Sequence, residues 1–402
     1  MARLHIFFYF FPVLFGFCLP FGGYVLSYII VAWLLFSLFA INKTKWLSGL
    51  KQLPFVFSVL FFVVTVISAI WKGGPERWSS IEIKLSFIIF PYLFYCFNYP
   101  VSIVKRMLVA FVSGNFFAGL LLLIRGTYYA LQNQPEYLTY SGFSNFIHTA
   151  YFALYLTLAG IIIVVYYPAW FKSNPQLLNF SWFMLAFFMI CIFLCASKIG
   201  ILGMFVAFIG LSLHKMKSML TIKKVLVLIG GVFVVLFFLV QLFPAIYYRF
   251  DNLLHLDISH LNKSSSESSE VRLLIWNECL AILKSNFIGG VGVGNANQTL
   301  YDFYKINGLI GALDHKLNAH NQFFQTAIGL GLFGLLPLSL LFFKGWQKTI
   351  KTNFILFLLT SLLFLNFLTE SMLQAAAGVL FFSFFTNLFF NYNYESLTKQ
   401  GS

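Results

Sequence analysis

Charged side chains are scarce in this sequence of 402 residues. They account for 9% of it, whereas 60% of the residues are hydrophobic. A water-soluble domain could not cover its surface with so few charges, so the composition excludes that class. It predicts an all-α integral membrane protein whose helices have lipid as their main solvent.

Cysteine is also scarce, and its placement excludes a disulfide framework. Cys18, Cys96, Cys191 and Cys195 lie inside apolar runs, whereas Cys279 lies outside them. We therefore predict that the cysteines are small apolar packing residues. Because no residues show the spacing of metal ligands, we predict neither a metal site nor a cofactor.

Acidic residues are outnumbered by basic ones, and the formal net charge is +14. On one soluble face this charge would indicate nucleic-acid binding, but here it falls on alternate connections between apolar runs. Each run is roughly long enough to cross a membrane, which predicts about twelve transmembrane helices. The runs lie near 6–22, 24–41, 54–71, 81–98, 104–124, 147–167, 180–196, 199–213, 224–243, 320–343, 354–369 and 374–391.

The basic residues also predict the orientation of the chain. With the N-terminus inside, the cytoplasmic connections contain most of the lysines, namely Lys43, Lys45, Lys51, Lys105, Lys172, Lys215, Lys217, Lys223, Lys224, Lys344, Lys348 and Lys351, together with Arg106. The short external turns contain few cations, chiefly Lys72, Arg77 and Arg125. This positive-inside asymmetry places both termini in the cytoplasm and predicts no nucleic-acid partner.

One long stretch, 244–319, is too polar for lipid, and the topology places it outside. It divides the chain into nine transmembrane helices in 1–243, a large periplasmic loop containing short helices in 244–319, and three transmembrane helices with a cytoplasmic tail in 320–402. Ser268 or Ser269 can cap an amphipathic helix in this loop. Its apolar stripe consists of Val271, Leu274, Ile275, Cys279, Ile282 and Leu283.

The glycine-rich run 289–295 follows that helix. Glycines so spaced predict a close backbone turn. The run is no phosphate-binding fingerprint, because no strand precedes it and no Lys-Ser/Thr pair follows.

An ordered set of residues in and around this loop resembles the O-antigen ligase and polymerase family. The set consists of Arg272, Trp276, Gly290-Val-Gly-Val-Gly294, His320-Asn321 and Gly329-Leu-Gly331-Leu-Phe-Gly334. Other stretches that agree are Glu82-Ile-Lys84-Leu-Ser before Pro91, His148-Thr-Ala-Tyr-Phe, Ser197-Lys198 and Thr369-Glu370. The resemblance extends from roughly the third predicted span to the twelfth.

The resemblance implies a membrane-embedded glycosyltransferase of the GT-C type in the bacterial inner membrane. Such an enzyme takes a glycan from undecaprenyl diphosphate on the periplasmic side, without nucleotide sugar or metal. A ligase joins the glycan to lipid A-core, whereas a polymerase joins it to a second lipid-linked glycan. We favour the ligase and keep the polymerase as the alternative.

A transporter or lipid flippase is an alternative from another class, since about twelve spans also fit such a protein. Transporters often show two similar halves and charged residues near mid-membrane, and neither is clear here. The late external loop has no early counterpart, which favours an enzyme working on one face.

The predicted chemistry requires cations and a base. Displacing a diphosphate from an anomeric carbon builds negative charge on the leaving oxygen, which Arg272 and Lys198 could stabilise. The family pattern usually has arginine where this chain has Lys198, and lysine supplies a point charge without the bidentate grip. A neutral imidazole at His320 could accept the proton of the acceptor hydroxyl. We predict these three residues as catalytic.

Each of the three has a structural alternative. His320 could anchor the tenth transmembrane helix at the interface, and Arg272 could be a solvated position on the amphipathic helix. Lys198 could extend to lipid headgroups, as lysines near helix ends often do.

Six further residues are predicted to bind substrate: Lys84, Arg249, Arg125, His148, Asn321 and Glu370. Lys84 could instead extend to headgroups, and His148 could satisfy a helix end rather than line a phosphate cavity. Glu370 could position the base, bind the acceptor or pair with a lysine.

Overall fold

The computed structural model describes residues 2–40, 43–215, 261–265 and 269–398. Within these ranges every regular element is a helix. The first group is α1 (Ala2–Cys18), α2 (Val25–Ser37), α3 (Lys43–Gly49), α4 (Leu53–Lys72), α5 (Arg77–Lys84), α6 (Ser86–Tyr95), α7 (Val101–Ala130), α8 (Tyr140–Phe143), α9 (Thr149–Trp170), α10 (Pro175–Leu194) and α11 (Lys198–Lys215). The second group is α12 (Ser269–Asn286), α13 (Ala296–Asn307), α14 (Ile310–Asp314), α15 (Gln322–Thr352), α16 (Phe354–Thr369), α17 (Ala376–Asn391) and α18 (Tyr394–Thr398).

Ten of these helices coincide with predicted membrane spans. Helices α4, α7, α9, α10 and α15 are long and apolar enough to cross a membrane. Five shorter apolar helices, α1, α2, α11, α16 and α17, accompany them. The ninth predicted span, 224–243, lies outside the described residues, so the total of twelve stays a prediction.

The fourth predicted span, 81–98, differs from the structure because it is divided between α5 and α6. At the junction the N–H of Leu85 donates to the carbonyl of Glu82, three residues earlier, over 3.2 Å. This turn is tighter than an α-helical one and interrupts the helix. Helix α6, the apolar part, is 10 residues long.

Helix α9 lies at the centre of the bundle. In the most apolar 18-residue stretch of α9, 89% of the residues are buried, compared with 28% in the corresponding stretch of α4. Helices α7, α10 and α11 pack around it. Gly200 allows α11 to approach α9 closely, because a Cβ there would collide with the Cβ of Ala153. This approach sets the position of the first turn of α11, which begins at Lys198.

The loop helices form a second hydrophobic core beside the bundle. Val271, Ile275, Cys279 and Ile282 of α12 are buried in it, which confirms the predicted stripe, with Leu274 and Leu283 packed at its edge. The other members come from the rest of the loop and from the start of α15: Ala296, Leu300, Tyr304, Leu309, Ala312, Ala319 and Ile328. The sequence pattern indicated only one amphipathic helix, whereas α13 and α14 complete this core.

Helix α15 is kinked at Gly331, whose φ of 63° and ψ of −153° are not helical. The glycine-rich turn satisfies the backbone groups that the kink frees. The N–H groups of Val291 and Gly292 donate to the carbonyls of Ile328 and Gly329 over 2.7 and 3.1 Å, and Leu332 donates back to Ile288 over 3.1 Å. The predicted close turn is therefore present, and its partner is the backbone of α15.

The same turn is held against the end of α4. Lys72 Nζ donates to the carbonyls of Gly289 and Gly290. The hydroxyl of Ser68 accepts from the N–H of Val293 over 3.0 Å. The loop core is thereby connected to the transmembrane bundle at α4 as well as through α15.

The sequence predicts that some helix ends lie outside and the others lie in the cytoplasm. The contacts between helix ends fall into two groups that match these two sets. One group joins Lys72 to Gly289 and Lys198 to Ser269. The other joins Trp170 to Leu397 over 2.8 Å and Asn391 to Phe94 over 3.0 Å. This grouping is expected of a chain that crosses the membrane repeatedly, because successive helix ends then lie on alternate sides.

Candidate functional site

Helix α12 presents two polar side chains one turn apart toward the bundle. Arg272 donates from Nη2 to Glu370 Oε1 over 2.8 Å. Trp276 donates from Nε1 to the carbonyl of Ala319 over 3.0 Å. Because residues four apart lie on the same helix face, one helix fixes both the segment before α15 and the segment after α16.

Glu370 lies directly after the end of α16, and its neighbourhood is fixed by the first turn of α15. Asn321 caps that turn, since its Oδ1 accepts from the N–H groups of Phe323 and Phe324 at 2.9 and 3.0 Å. Its Nδ2 donates to the carbonyl of Leu368 over 3.1 Å. Asn321 thus ties the beginning of α15 to the end of α16.

His320 faces the carboxylate of Glu370. Its Nδ1 is 3.5 Å from Glu370 Oε2, and that nitrogen is buried. The side chain as a whole is 22% exposed, so its open surface belongs to other atoms of the ring. His320 has a φ of 44°, in the left-handed region that non-glycine residues adopt rarely. Such a conformation is kept where its surroundings enforce it.

A narrow cleft, with a volume of about 30 Å³, opens beside Glu370. Four of the predicted site residues line it, namely Lys198, Arg272, His148 and Glu370, whereas His320 and Asn321 do not. The other lining residues are Tyr140, Thr149, Ala150, Ser197, Ile199 and Ser269. Lys198 Nζ donates to Ser269 Oγ over 3.1 Å.

The first turns of α9, α11 and α12 all meet at this cleft. The exposed N–H groups and the positive dipole ends of helices favour anions. His148 occupies the N-cap of α9 and its Nδ1 accepts from the N–H of Ala150 at 3.4 Å, so it both satisfies a helix end and lines the cleft. The cleft therefore combines three helix N-termini with the side chains of Lys198 and Arg272.

The charge state of Glu370 follows from its partners. Burial raises the pKa of this carboxyl, but the neighbouring His320, Arg272 and His148 outweigh burial and leave the pKa below its ordinary value. Glu370 is therefore a carboxylate at neutral pH. It pairs with an arginine and a histidine rather than with a lysine.

The remaining predicted site residues lie elsewhere. Arg125 donates to the carbonyl of Gly142 over 2.8 Å and lies against the rings of Tyr129 and Tyr137. Lys84 is 2% exposed and does not line the cleft. Its α5 packs against α17 and the 3₁₀ turn Met372–Gln374. Arg249 lies outside the described residues. Substrate contact by these three stays a prediction.

Tyr140 is a cleft residue that the sequence pattern did not indicate. It has a φ of 52° and begins the short helix α8, close to the Gly142 carbonyl that Arg125 holds. A single tyrosine in a polar connection gives no pattern from which this position could be inferred. Among the described residues no group of three or more His, Cys, Asp or Glu side chains could hold a metal ion.

A family model described as O-antigen ligase matches residues 182–339. The match confirms the family resemblance, and it includes Lys198, Arg272 and His320. Glu370 and His148 lie outside the matched residues, and the fold brings them to the cleft. No curated protein matches the chain significantly.

Proposed function

We propose that this chain, whose residues 182–339 match a family model described as O-antigen ligase, transfers a glycan from undecaprenyl diphosphate to a hydroxyl of lipid A-core on the periplasmic face. One observation supports the proposal above all. Glu370 joins Arg272 to His320 at the edge of a cleft that Lys198 also lines. One carboxylate thus contacts both the proposed phosphate-binding group and the proposed base.

Arg272 and Lys198 are proposed to bind the diphosphate. Arg272 uses Nη2 for Glu370, and its side chain is 31% exposed, so other N–H groups of the guanidinium can reach a ligand. Lys198, which bonds to Ser269, adds a second positive charge to the cleft. As the bond to the sugar breaks, these charges stabilise the oxygen that leaves with the electron pair.

His320 is proposed to be the base. A carboxylate beside Nδ1 favours the tautomer with its proton on that nitrogen, which leaves the lone pair of Nε2 free. The oxygen of the acceptor hydroxyl bonds to the anomeric carbon, the bond from that carbon to the diphosphate breaks, and the hydroxyl proton passes to Nε2. The negative charge of Glu370 then stabilises the imidazolium.

Transfer by the reconstituted protein tests this proposal. A purified undecaprenyl-diphosphate-linked glycan is supplied with lipid A-core in one reaction and alone in another. We expect product with lipid A-core only. Chain extension with donor alone would instead identify a polymerase, and an absence of product in both reactions would favour the transporter alternative.

Variants at two residues test the proposed roles of Arg272 and His320. Arg272→Ala should be inactive, and Arg272→Lys should recover part of the activity because it restores a charge. His320→Ala should abolish transfer, by about 100-fold or more, while donor binding stays nearly unchanged. Lost donor binding in His320→Ala would indicate a structural role for His320. Thermal unfolding of each variant separates loss of fold from loss of chemistry.

A further inference from the structure

A chain of hydrogen bonds runs from the connection between α4 and α5 to the residue before His320. Asn297 Nδ2 donates to Glu76 Oε2 over 2.8 Å. Gln325 Nε2 donates to Asn297 Oδ1 over 2.8 Å. The N–H of Ala319 then donates to Gln325 Oε1 over 2.9 Å. Three amide or carboxylate side chains from α13, α15 and the connection before α5 therefore form one relay.

The relay ends where the backbone of His320 is most constrained. The carbonyl of Ala319 accepts from Trp276, and the N–H of His320 donates to Asn318 Oδ1 over 2.9 Å. With Gln325 on the N–H of Ala319, all three backbone groups around the Ala319–His320 peptide are bonded. These bonds fix the peptide that precedes His320, which has a left-handed φ of 44°.

The relay has a direction. Gln325 and Asn297 each accept from the group nearer His320 and donate toward Glu76, whose side-chain oxygen accepts and ends the chain. Gln325 is 3% exposed, so solvent cannot easily replace a partner that it loses.

We propose that Gln325, supported by Asn297 and Glu76, is a positioning residue for His320. It keeps the imidazole beside Glu370. This role rests on the proposed function of His320 as the base. The position of the imidazole can be tested without measuring turnover.

Exchanging the carboxylate at position 76 with the amide at position 325 tests this proposal. Gln325→Glu still accepts from Ala319 but brings a carboxylate oxygen against Asn297 Oδ1. If Asn297 turns over to donate to it, Asn297 Oδ1 then meets the carboxylate of Glu76. The double variant Glu76→Gln with Gln325→Glu removes this conflict, because the new amide at position 76 can donate to the reversed Asn297. We expect a kcat about 10- to 100-fold lower in the single variant, with an unchanged KM for the donor, and recovery to within about threefold in the double variant.

Gln298→Glu is the matched control. It makes the same chemical change one residue from Asn297, on an exposed side chain that bonds to Asp302. It should leave kcat and KM unchanged. If the single variant does not fold, the double variant should fold again, and a double variant that also fails would contradict the relay.

Carbethoxylation of His320, measured by peptide mass spectrometry, gives a second readout that needs no activity. Its rate should change several-fold in Gln325→Glu and return toward the wild-type rate in the double variant. A single variant that equals wild type in both measurements, or a double variant that recovers in neither, would overturn the inference. A wild-type protein without transferase activity but with this labelling pattern would overturn the proposed function and leave the positioning of His320 supported.

Discussion

Glu370 holds the two halves of the candidate site together. It is 8% exposed, and its two oxygens face Arg272 and His320, which come from opposite ends of the loop core. A buried carboxylate with two such partners is costly to leave unpaired. Its charge therefore contributes both to the position of His320 and to the stability of the junction after α16.

The stability contributed by Glu370 should depend on pH. The pKa of Glu370 is below its ordinary value of 4.5 in the folded protein, so protonation favours the unfolded state. The contribution is fully present above about pH 4.5 and is lost as the pH falls through the lower pKa of the folded state. We expect Glu370→Gln to cost about 1–3 kcal/mol at pH 7, with a smaller difference from wild type near pH 3.5.

Thermal unfolding in detergent, measured from pH 7 to pH 3.5, checks this expectation. A difference between Glu370→Gln and wild type that stays constant over the range would show that the carboxylate charge is not responsible.

Lys198 offers a second test at the level of a single residue. If it serves as a cation for the diphosphate, Lys198→Arg should keep activity, because arginine retains the charge and adds donors. Lys198→Ala should lose about 10-fold or more of kcat/KM. Equal losses in the two variants, at equal thermal stability, would count against a phosphate-binding role.

At the level of elements, the glycine-rich turn is a structural joint. Gly290 has a φ of 61°, and a Cβ on it would lie 2.6 Å from backbone atoms of Ile328 and Gly329. Both facts follow from its position against the kink of α15. A phosphate-binding role is not needed to explain these glycines.

Gly290→Ala should therefore be strongly destabilising. Gly308 is the matched control, since its φ is 70° but no atom lies within 4 Å of the position of its Cβ. Gly308→Ala should show only the conformational cost, about 1–2 kcal/mol. Gly290→Ala should lower the thermal unfolding midpoint clearly further, and equal midpoints would mean that the contact with α15 is unimportant.

The sequence predicted elements best where one physical pattern dominates. The stripe from Val271 to Ile282 has helical spacing, and α12 buries it as expected. Helix α14 has only five residues, which is too short for periodicity to identify, whereas the apolar residues Ala296, Leu300 and Tyr304 of α13 have helical spacing that the sequence analysis did not use. The division of span 81–98 at Leu85 could not be inferred either, because it depends on one local hydrogen bond.

For the whole molecule, the contacts between helix ends agree with the predicted topology. The contacts at Lys72, Ser269 and Glu370 gather ends that the charge pattern assigns to the outside. Those at Trp170 and Asn391 gather the ends assigned to the cytoplasm.

Cysteine labelling in intact cells tests this orientation. Ser285→Cys lies on the exposed side of α12, and Ser48→Cys replaces a serine that is also exposed, on α3. The five native cysteines are unpaired, and four of them are buried. A membrane-impermeant maleimide should label Ser285→Cys without lysis and Ser48→Cys only after permeabilisation. The reverse pattern would invert the proposed topology.

The members of the site were predictable to different degrees. Lys198, Arg272, His320 and Glu370 stand in an ordered family pattern, and the fold brings all four to one place although they lie far apart in the sequence. Glu76 and Gln325 belong to no such pattern. Their link is a chain of contacts across the molecule, and polarity alone does not tell which distant partner a buried amide will find.

The kink at Gly331 changes where the loop can be exchanged. The segment Gln322–Leu330 precedes the kink and packs in part with the loop core, although the sequence assigns it to the tenth span. A chimera that takes the loop of a relative should therefore be joined after Gly331, and it should carry residues 72–77 of the same parent. Junctions placed at 320 would separate His320 from the helix that orients it.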